Sequence, residues 1–183
     1  MKRVYVNEQW CLGCHLCEYN CAFANSGEKD TPSPKGTGAG IPHENIWGMV
    51  RALKGKTIYP RIHIEGEDQI TYAVSCRHCT DPLCVWGCIS GALHLSAPSG
   101  TVADIPRENM RGMEDGVICI DHAKCVGCLT CVMLCPYGAV APGQDGAALK
   151  CELCLQNTCG EPACAAGCPN RAIVYEERKE ASA

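Results

Sequence analysis

The chain has 183 residues, a formal charge of −4 and 18 cysteines, and its basic residues are not clustered, so nucleic-acid binding has no electrostatic support. Leu, Ile, Val and Phe together number only 34, so an ordinary apolar core is poorly supplied and cysteine must help to organise the interior. No signal peptide and no apolar run long enough to span a membrane are visible, and we expect a cytoplasmic protein whose thiols stay reduced or bind metal.

Short predicted strands alternate along the chain with four groups of cysteines. The first strand is "RVYVN" (3–7), and residues 22–69 form an insertion with an irregular loop followed by a β-hairpin around "EGED". "GALHLS" follows the second group, "GVICID" precedes the third, and "GAVAP" and "RAIVYE" follow the third and fourth. The groups are Cys11, Cys14, Cys17 and Cys21; Cys76, Cys79, Cys84 and Cys88; Cys125, Cys128, Cys131 and Cys135; and Cys151, Cys154, Cys159 or Cys164, and Cys168.

The four groups repeat in pairs. "WCLGCHLC" (10–17) matches "KCVGCLTC" (124–131), and "DPLCVWGC" (81–88) aligns with "EPACAAGC" (161–168), which predicts an internal duplication of the order A-B-A′-B′. The second alignment makes Cys164 the counterpart of Cys84 and places Cys159 in an insertion, so we prefer Cys164 as the ligand and keep Cys159 as the alternative. Cys119, in an apolar strand, is predicted to be a buried core thiol.

The spacing of groups one and three, C-x2-C-x2-C-x3-C, indicates iron–sulfur clusters. Tetrahedral zinc usually takes thiolates from two separated C-x2-C knuckles, whereas these groups place three thiols within seven residues. A short loop of this kind can wrap three corners of a cubane, and in bacterial two-cluster ferredoxins the fourth Cys ligates the other cluster. Pro136 and Pro169 follow the last cysteines of groups three and four, as that pattern requires. We therefore expect four [4Fe-4S] clusters, with zinc as the main alternative.

The order of the groups resembles the four-cluster ferredoxin subunits of multisubunit oxidoreductases, over roughly residues 3 to 176. That family includes the beta subunits of dimethyl sulfoxide reductase and formate dehydrogenase. It also includes small soluble subunits that accompany tungsten aldehyde oxidoreductases, class II benzoyl-CoA reductases and carbon monoxide dehydrogenase. The resemblance implies an α+β fold of duplicated bacterial-ferredoxin-like domains. One lobe would comprise residues 1–21 with 136–183, and the other residues 70–135, each holding two clusters.

The resemblance also implies which thiols share a cluster, because groups one and four pair in that family, as do groups two and three. The implied ligands are Cys11, Cys14, Cys17 and Cys168 for cluster 1; Cys21, Cys151, Cys154 and Cys164 for cluster 2; Cys88, Cys125, Cys128 and Cys131 for cluster 3; and Cys76, Cys79, Cys84 and Cys135 for cluster 4.

The expected function is electron transfer without substrate chemistry, since no Ser-His-Asp arrangement, flavin fingerprint or phosphate-binding loop is visible. The resemblance implies a subunit that relays single electrons between a tungsten or molybdenum pterin enzyme of the aldehyde oxidoreductase type and a second redox subunit, a flavin subunit for example, or a soluble carrier. Carbon monoxide dehydrogenase and hydrogenase are alternative partner enzymes, and self-association of the chain is a further alternative. A zinc-binding interaction module is the competing class of function. His15 and His78 lie inside the cysteine loops, and we expect them to be solvated loop histidines.

Overall fold

A computed structural model describes residues 1–26, 54–55, 57–67, 70–96, 116–155 and 161–178. In this part the chain forms short strands and short helices, which confirms the predicted α+β class. No helix there is both long enough and apolar enough to cross a membrane. The elements are β1 (Arg3–Val6), a 3-10 turn (Glu8–Trp10), α1 (Leu16–Ala24), β2 (His63–Glu67), β3 (Ile70–Val74), α2 (Leu83–Trp86), β4 (Leu93–Ser96), β5 (Val117–Ile120), α3 (Thr130–Leu134), β6 (Val140–Pro142), β7 (Ala148–Lys150), α4 (Ala163–Ala166) and β8 (Ile173–Glu176).

Two antiparallel strand pairs join segments that are distant in sequence. β1 pairs with β8, with Val4 opposite Tyr175, so the strand before the first cysteine group lies beside the strand after the fourth. β4 pairs with β5, with Leu95 opposite Ile118, so the strand after the second group lies beside the strand before the third. The predicted strands around these groups are therefore present, and their pairing brings group one to group four and group two to group three.

Two β-hairpins lie in sequence between consecutive cysteine groups. The predicted hairpin is formed by β2 and β3, with Ile64 opposite Ala73, and the boundary that we drew at residue 69 falls between its strands. β6 and β7 form a second hairpin, with Ala141 opposite Leu149, at the corresponding place between groups three and four. Most of the irregular loop predicted within residues 22–69 lies outside the described residues.

The two segments with the pattern acid-Pro-x-Cys-x-x-Gly-Cys fold alike. In the first, the N–H of Val85 donates to the carbonyl of Pro82 at 2.9 Å, and the N–H of Gly87 donates to Leu83 at 2.9 Å. The second has the same bonds, from Ala165 to Pro162 at 3.0 Å and from Gly167 to Ala163 at 3.0 Å. Proline begins each turn because its fixed φ suits a helix start, where no N–H is needed. α2 and α4 are thus equivalent single turns, each carrying one cysteine inside and one after it.

Cysteine contributes a large share of both clusters of buried residues. The first cluster combines Val4, Ile62 and Ile173 with buried cysteines, and the second combines Val85, Leu93 and Ile118 with others. The buried cysteines of the first cluster are Cys17, Cys21, Cys76, Cys151 and Cys164, and those of the second are Cys84, Cys88 and Cys131. The interior is therefore organised around thiols, as the small supply of large apolar side chains predicts.

Candidate metal centres

The β1–β8 pair brings three cysteines of the first group to the last cysteine of the fourth. The side-chain amide of Asn170 donates a hydrogen bond of 2.6 Å to the carbonyl of Trp10, which ties the segment after Cys168 to the segment before Cys11. The cavity between these segments has mostly apolar walls. Its cysteines, which we call set 1, are Cys11, Cys14, Cys17 and Cys168.

A second cavity combines the last cysteine of the first group with three of the fourth. The backbone N–H of Arg61 donates to the Cys21 sulfur at 3.2 Å, and its guanidinium pairs with the Glu152 carboxylate at 2.9 Å. Cys164 lines this cavity, whereas Cys159 lies outside the described residues. Its cysteines, set 2, are Cys21, Cys151, Cys154 and Cys164.

A third cavity combines three cysteines of the second group with the last of the third. The backbone N–H of His78 donates to the Cys76 sulfur at 3.5 Å. Arg77 and Tyr137 line the same cavity, and the guanidinium of Arg77 lies 4.6 Å from the centre of the Tyr137 ring. Its cysteines, set 4, are Cys76, Cys79, Cys84 and Cys135.

The remaining cysteines of groups two and three also lie near one another. The Cys88 thiol interacts electrostatically with those of Cys128 and Cys131, and the Cys131 thiol also interacts with that of Cys125. The N–H of Leu93 donates to the Cys88 sulfur at 3.5 Å. This set 3 comprises Cys88, Cys125, Cys128 and Cys131.

The loops that carry these thiols depend on glycine. Gly13 and Gly127, each between the first two cysteines of its group, have φ of +61° and +69°. Residues that carry a Cβ adopt this left-handed region at an energetic cost, whereas glycine enters it without a Cβ penalty. The equivalent position in groups one and three therefore needs glycine for the same backbone reason.

Burial raises the pKa of several of these thiols. It raises the pKa of Cys17 to about 12 and the pKa values of Cys21 and Cys84 to about 11. The pKa of Cys164 is raised well above its ordinary value by burial, and then by the neighbouring thiols of Cys151 and Cys21. Because the thiolate is the form that binds metal, such sets lose their protons only when a bound cation compensates the negative charge.

Two thiols of set 3 behave differently. The hydroxyl of Thr130 donates to the Cys128 sulfur at 3.5 Å and lowers the pKa of that thiol. Burial acts to raise the pKa of Cys88, but hydrogen bonds from the Leu93 N–H and from Ser90 outweigh it, and the pKa is lowered.

No group of three or more His, Cys, Asp or Glu side chains within the described ranges lies close enough together to hold a single metal ion.

The exposure of three basic side chains near the thiols can be compared with what the sequence predicts. His15 is half exposed, as expected, and its Nδ1 lies 2.7 Å from the Glu18 carboxylate. His78 is only 2% exposed, so the expectation of a solvated histidine was wrong there. Lys150 is fully buried beside set 4, although nothing in its sequence context separates it from the exposed Lys124, which also directly precedes a cysteine.

Comparison with known protein families identifies the class. A family model for the 4Fe-4S dicluster domain matches residues 68–178, which is more than half of the chain. The chain therefore belongs to the 4Fe-4S dicluster domain family, and it is a ferredoxin-like iron–sulfur protein of electron transfer.

Curated relatives cover nearly all of this chain. It is 28% identical over 186 residues to an iron-sulfur protein of Rhodospirillum rubrum, covering 93% of this chain and 79% of that protein. It is 29% identical over 186 residues to the electron transport protein HydN of Escherichia coli K12, covering 93% of this chain and 85% of HydN. It is also 31% identical over 169 residues to UacF of Escherichia coli K12, covering 92% of this chain but 20% of UacF, so it spans about a fifth of that relative.

Proposed function

We propose that this chain is a non-catalytic electron-transfer subunit that holds four [4Fe-4S] clusters, one on each cysteine set. The observation that carries the proposal is the composition of the sets. Each combines three cysteines of one group with one cysteine of another, and three of the sets each line one cavity. That is the sharing of ligands by which two neighbouring clusters are held in bacterial ferredoxins. The equivalent turns α2 and α4 and the equivalent hairpins β2–β3 and β6–β7 support an origin by internal duplication. We propose two lobes, one of residues 1–21 together with 136–183, and the other of residues 70–135.

The surroundings of the thiols fit such a group. The four-thiolate donor sets are those that [4Fe-4S] clusters require, and backbone N–H groups of Arg61, His78 and Leu93 already point at sulfur atoms. When bound, such a cluster accepts and releases one electron. The chain's own residues hold its ligands in place, donate hydrogen bonds to sulfur and limit the access of water, and these factors set the potential of a cluster.

Interactions between thiols of neighbouring sets link the sets in one order, which suits a relay. Sets 1 and 2 meet at α1, where the Cys17 and Cys164 thiols interact. Sets 2 and 4 meet where the Cys151 thiol interacts with that of Cys76. Sets 4 and 3 share α2 and α3, since Cys84 precedes Cys88 and Cys131 precedes Cys135 by one helical turn. The resulting order is set 1, set 2, set 4, set 3, with sets 2 and 4 as the inner pair.

Both outer sets reach the surface, which suits exchange of electrons with two partners. Cys14 of set 1 and Cys128 of set 3 are exposed, and they occupy equivalent positions in groups one and three. Exposed apolar side chains adjoin both, with Leu12 68% exposed beside Cys14 and Val126 65% exposed beside Cys128. We propose one docking surface at each of these positions, because short distance favours electron transfer and apolar side chains favour association.

The partners that we propose come from the resemblance of the cysteine pattern. One is a catalytic subunit, a tungsten or molybdenum pterin enzyme of the aldehyde oxidoreductase type, and the other is a redox subunit or soluble carrier. A cytoplasmic location, where the thiols stay reduced until iron is inserted, belongs to the same proposal.

Anaerobic purification of the native complex tests the proposal. A co-eluting large subunit that contains tungsten or molybdenum, and whose substrate bleaches the absorbance of this chain near 400 nm, would support it. A Leu12→Glu or Val126→Glu variant should keep its iron and lose electron exchange with one partner only. An iron-loaded chain that no co-purifying enzyme reduces or oxidises would refute the proposed partnership.

A further inference from the structure

Lys150 is an unusual charge to find in this interior. It is the last residue of β7, and its relative exposure is 0%. Of the Lys, Arg, Asp and Glu residues that the structure describes, Lys150 alone is buried. Its ammonium donates hydrogen bonds to the carbonyls of Ile118 at 2.6 Å and Cys151 at 2.8 Å. A buried ammonium is costly unless anionic groups lie near it, so its position points to a compensating negative charge.

Thiols of both inner sets lie near this ammonium. Lys150 interacts electrostatically with Cys76 and Cys84 of set 4 and with Cys151 of set 2. The Cys76 and Cys151 thiols also interact with each other, so the lysine lies where the two inner sets meet. In the aligned repeat the residue before the group-two cysteine is Ser75, which lines the cavity of set 2. The residue before the first cysteine is thus a buried cation in group four and a neutral serine at the equivalent position of group two.

Two other polar groups that the structure describes near the junction, Arg61 and His78, do not supply an uncompensated cation. The guanidinium of Arg61 is paired with the Glu152 carboxylate at 2.9 Å. The ring of His78 accepts a hydrogen bond at Nδ1 from the N–H of Ile118 at 3.1 Å, which assigns an unprotonated Nδ1. Within the described residues, the positive charge that faces the inner thiols without a carboxylate partner is therefore that of Lys150.

We propose that Lys150 sets the reduction potentials of the two inner clusters, raising them by a fixed positive charge. The inference rests on the proposed function. Four thiolates and an oxidised core of charge about +2 leave each cluster at about −2, and reduction adds one more negative charge. A cation in a water-poor interior stabilises the more negative state, because Coulomb interactions are weakly screened there. Lys150 is thus a positioning residue that favours residence of the electron on the inner pair.

A neutral variant and a matched control test this inference. Lys150→Gln removes the charge and keeps a donor for the carbonyls. Lys124→Gln removes the same charge from the residue directly before Cys125, where the side chain is 54% exposed and pairs with Asp121 at 3.3 Å. Potentials are measured by redox titration of the iron-loaded chain, followed by electron paramagnetic resonance.

In Lys150→Gln we expect the reduction equilibrium constant of the inner pair to fall at least tenfold, which is 59 mV for one electron. Lys124→Gln should change no constant by more than about twofold, because water screens an exposed charge. Full iron content with unchanged potentials in Lys150→Gln would overturn the inference and leave the proposed function intact. Wild-type chain without iron and sulfide would instead overturn the proposed function.

Loss of iron from Lys150→Gln is also informative when Lys150→Arg is measured beside it. If the arginine variant keeps four clusters with near-normal potentials, the charge is what the inner pair requires, and the inference stands. If the arginine variant also loses the inner clusters, the shape of lysine and its carbonyl bonds are what matter, and a role for its charge is rejected.

Discussion

Replacement of Gly127 by alanine should remove one cluster selectively. Gly127 has a φ of +69°, and a Cβ built there would lie 2.8 Å from the carbonyl oxygen of Gly146. A backbone oxygen cannot rotate away as a side chain can, so the loop between Cys125 and Cys128 must shift. Those cysteines belong to set 3, and the other three sets have no ligand in this loop.

The magnitude follows from comparison with Gly138. Gly138 has a φ of +64°, but a Cβ there would meet nothing within 4 Å. A positive φ costs an alanine about 1–2 kcal/mol at either position. Steric overlap in a packed site adds roughly 1–3 kcal/mol at Gly127 alone. We therefore expect a loss of about 2–5 kcal/mol for Gly127→Ala and about 1–2 kcal/mol for Gly138→Ala.

Iron analysis after anaerobic reconstitution, together with urea-dependent bleaching near 400 nm, measures both effects. Gly127→Ala should hold about four irons fewer than wild type, since a [4Fe-4S] cluster contains four, and Gly138→Ala should hold the wild-type number. Equal iron content in the two variants would show that the contact with Gly146 does not constrain the loop, and the reasoning would fail.

Three other predictions concern the cysteine sets and their supports. Cys164→Ala should lower the iron content by about four atoms per chain, whereas Cys159→Ala should leave it unchanged; the reverse result would assign Cys159 to set 2. Glu152→Gln removes the carboxylate that pairs with Arg61 and accepts from the Ile120 N–H at 2.9 Å, and should destabilise the chain by about 2–4 kcal/mol in urea unfolding. Glu176→Gln, which breaks the exposed pair with Arg178, should cost at most about 0.5 kcal/mol, and equal costs would contradict the importance of burial. Removal of iron by a chelator should abolish most of the circular dichroism signal, because cysteines form much of both buried clusters; a chain that stayed folded without iron would argue against this.

The strands that surround the cysteine groups could be predicted from sequence because their pattern is local. "RVYVN" and "RAIVYE" are rich in β-branched and aromatic residues, which favour strands, and they form β1 and β8. The partner of "GAVAP" could not be predicted. This segment forms β6, which pairs with β7 in a hairpin because Gly143 and Gly146 allow the chain to turn back within a few residues. Short strands carry too few side chains for the sequence to specify which strand each will pair with.

The ligand sets are what the resemblance implies and stay a prediction, whereas the sequence carried no signal for the charged groups around the thiols. Lys124 and Lys150 both precede a cysteine, yet the first is exposed and the second is buried. The difference arises from packing, since β7 lies against β5 and its last side chain is enclosed there. His15 and His78 differ in the same way, because the Nδ1 of His78 accepts a bond from β5 whereas the Nδ1 of His15 lies 2.7 Å from the Glu18 carboxylate of the adjoining helix α1. Burial of a polar side chain depends on long-range contacts that a local pattern does not contain.

Metal and sulfide analysis of anaerobically prepared chain, combined with electron paramagnetic resonance after reduction, tests the central proposal most directly. Four [4Fe-4S] clusters predict about sixteen irons and about sixteen acid-labile sulfides per chain, a brown colour with absorbance near 400 nm, and four reducible paramagnetic centres. A colourless chain that contains about four zinc ions, no labile sulfide and no paramagnetic signal on reduction would contradict the proposal.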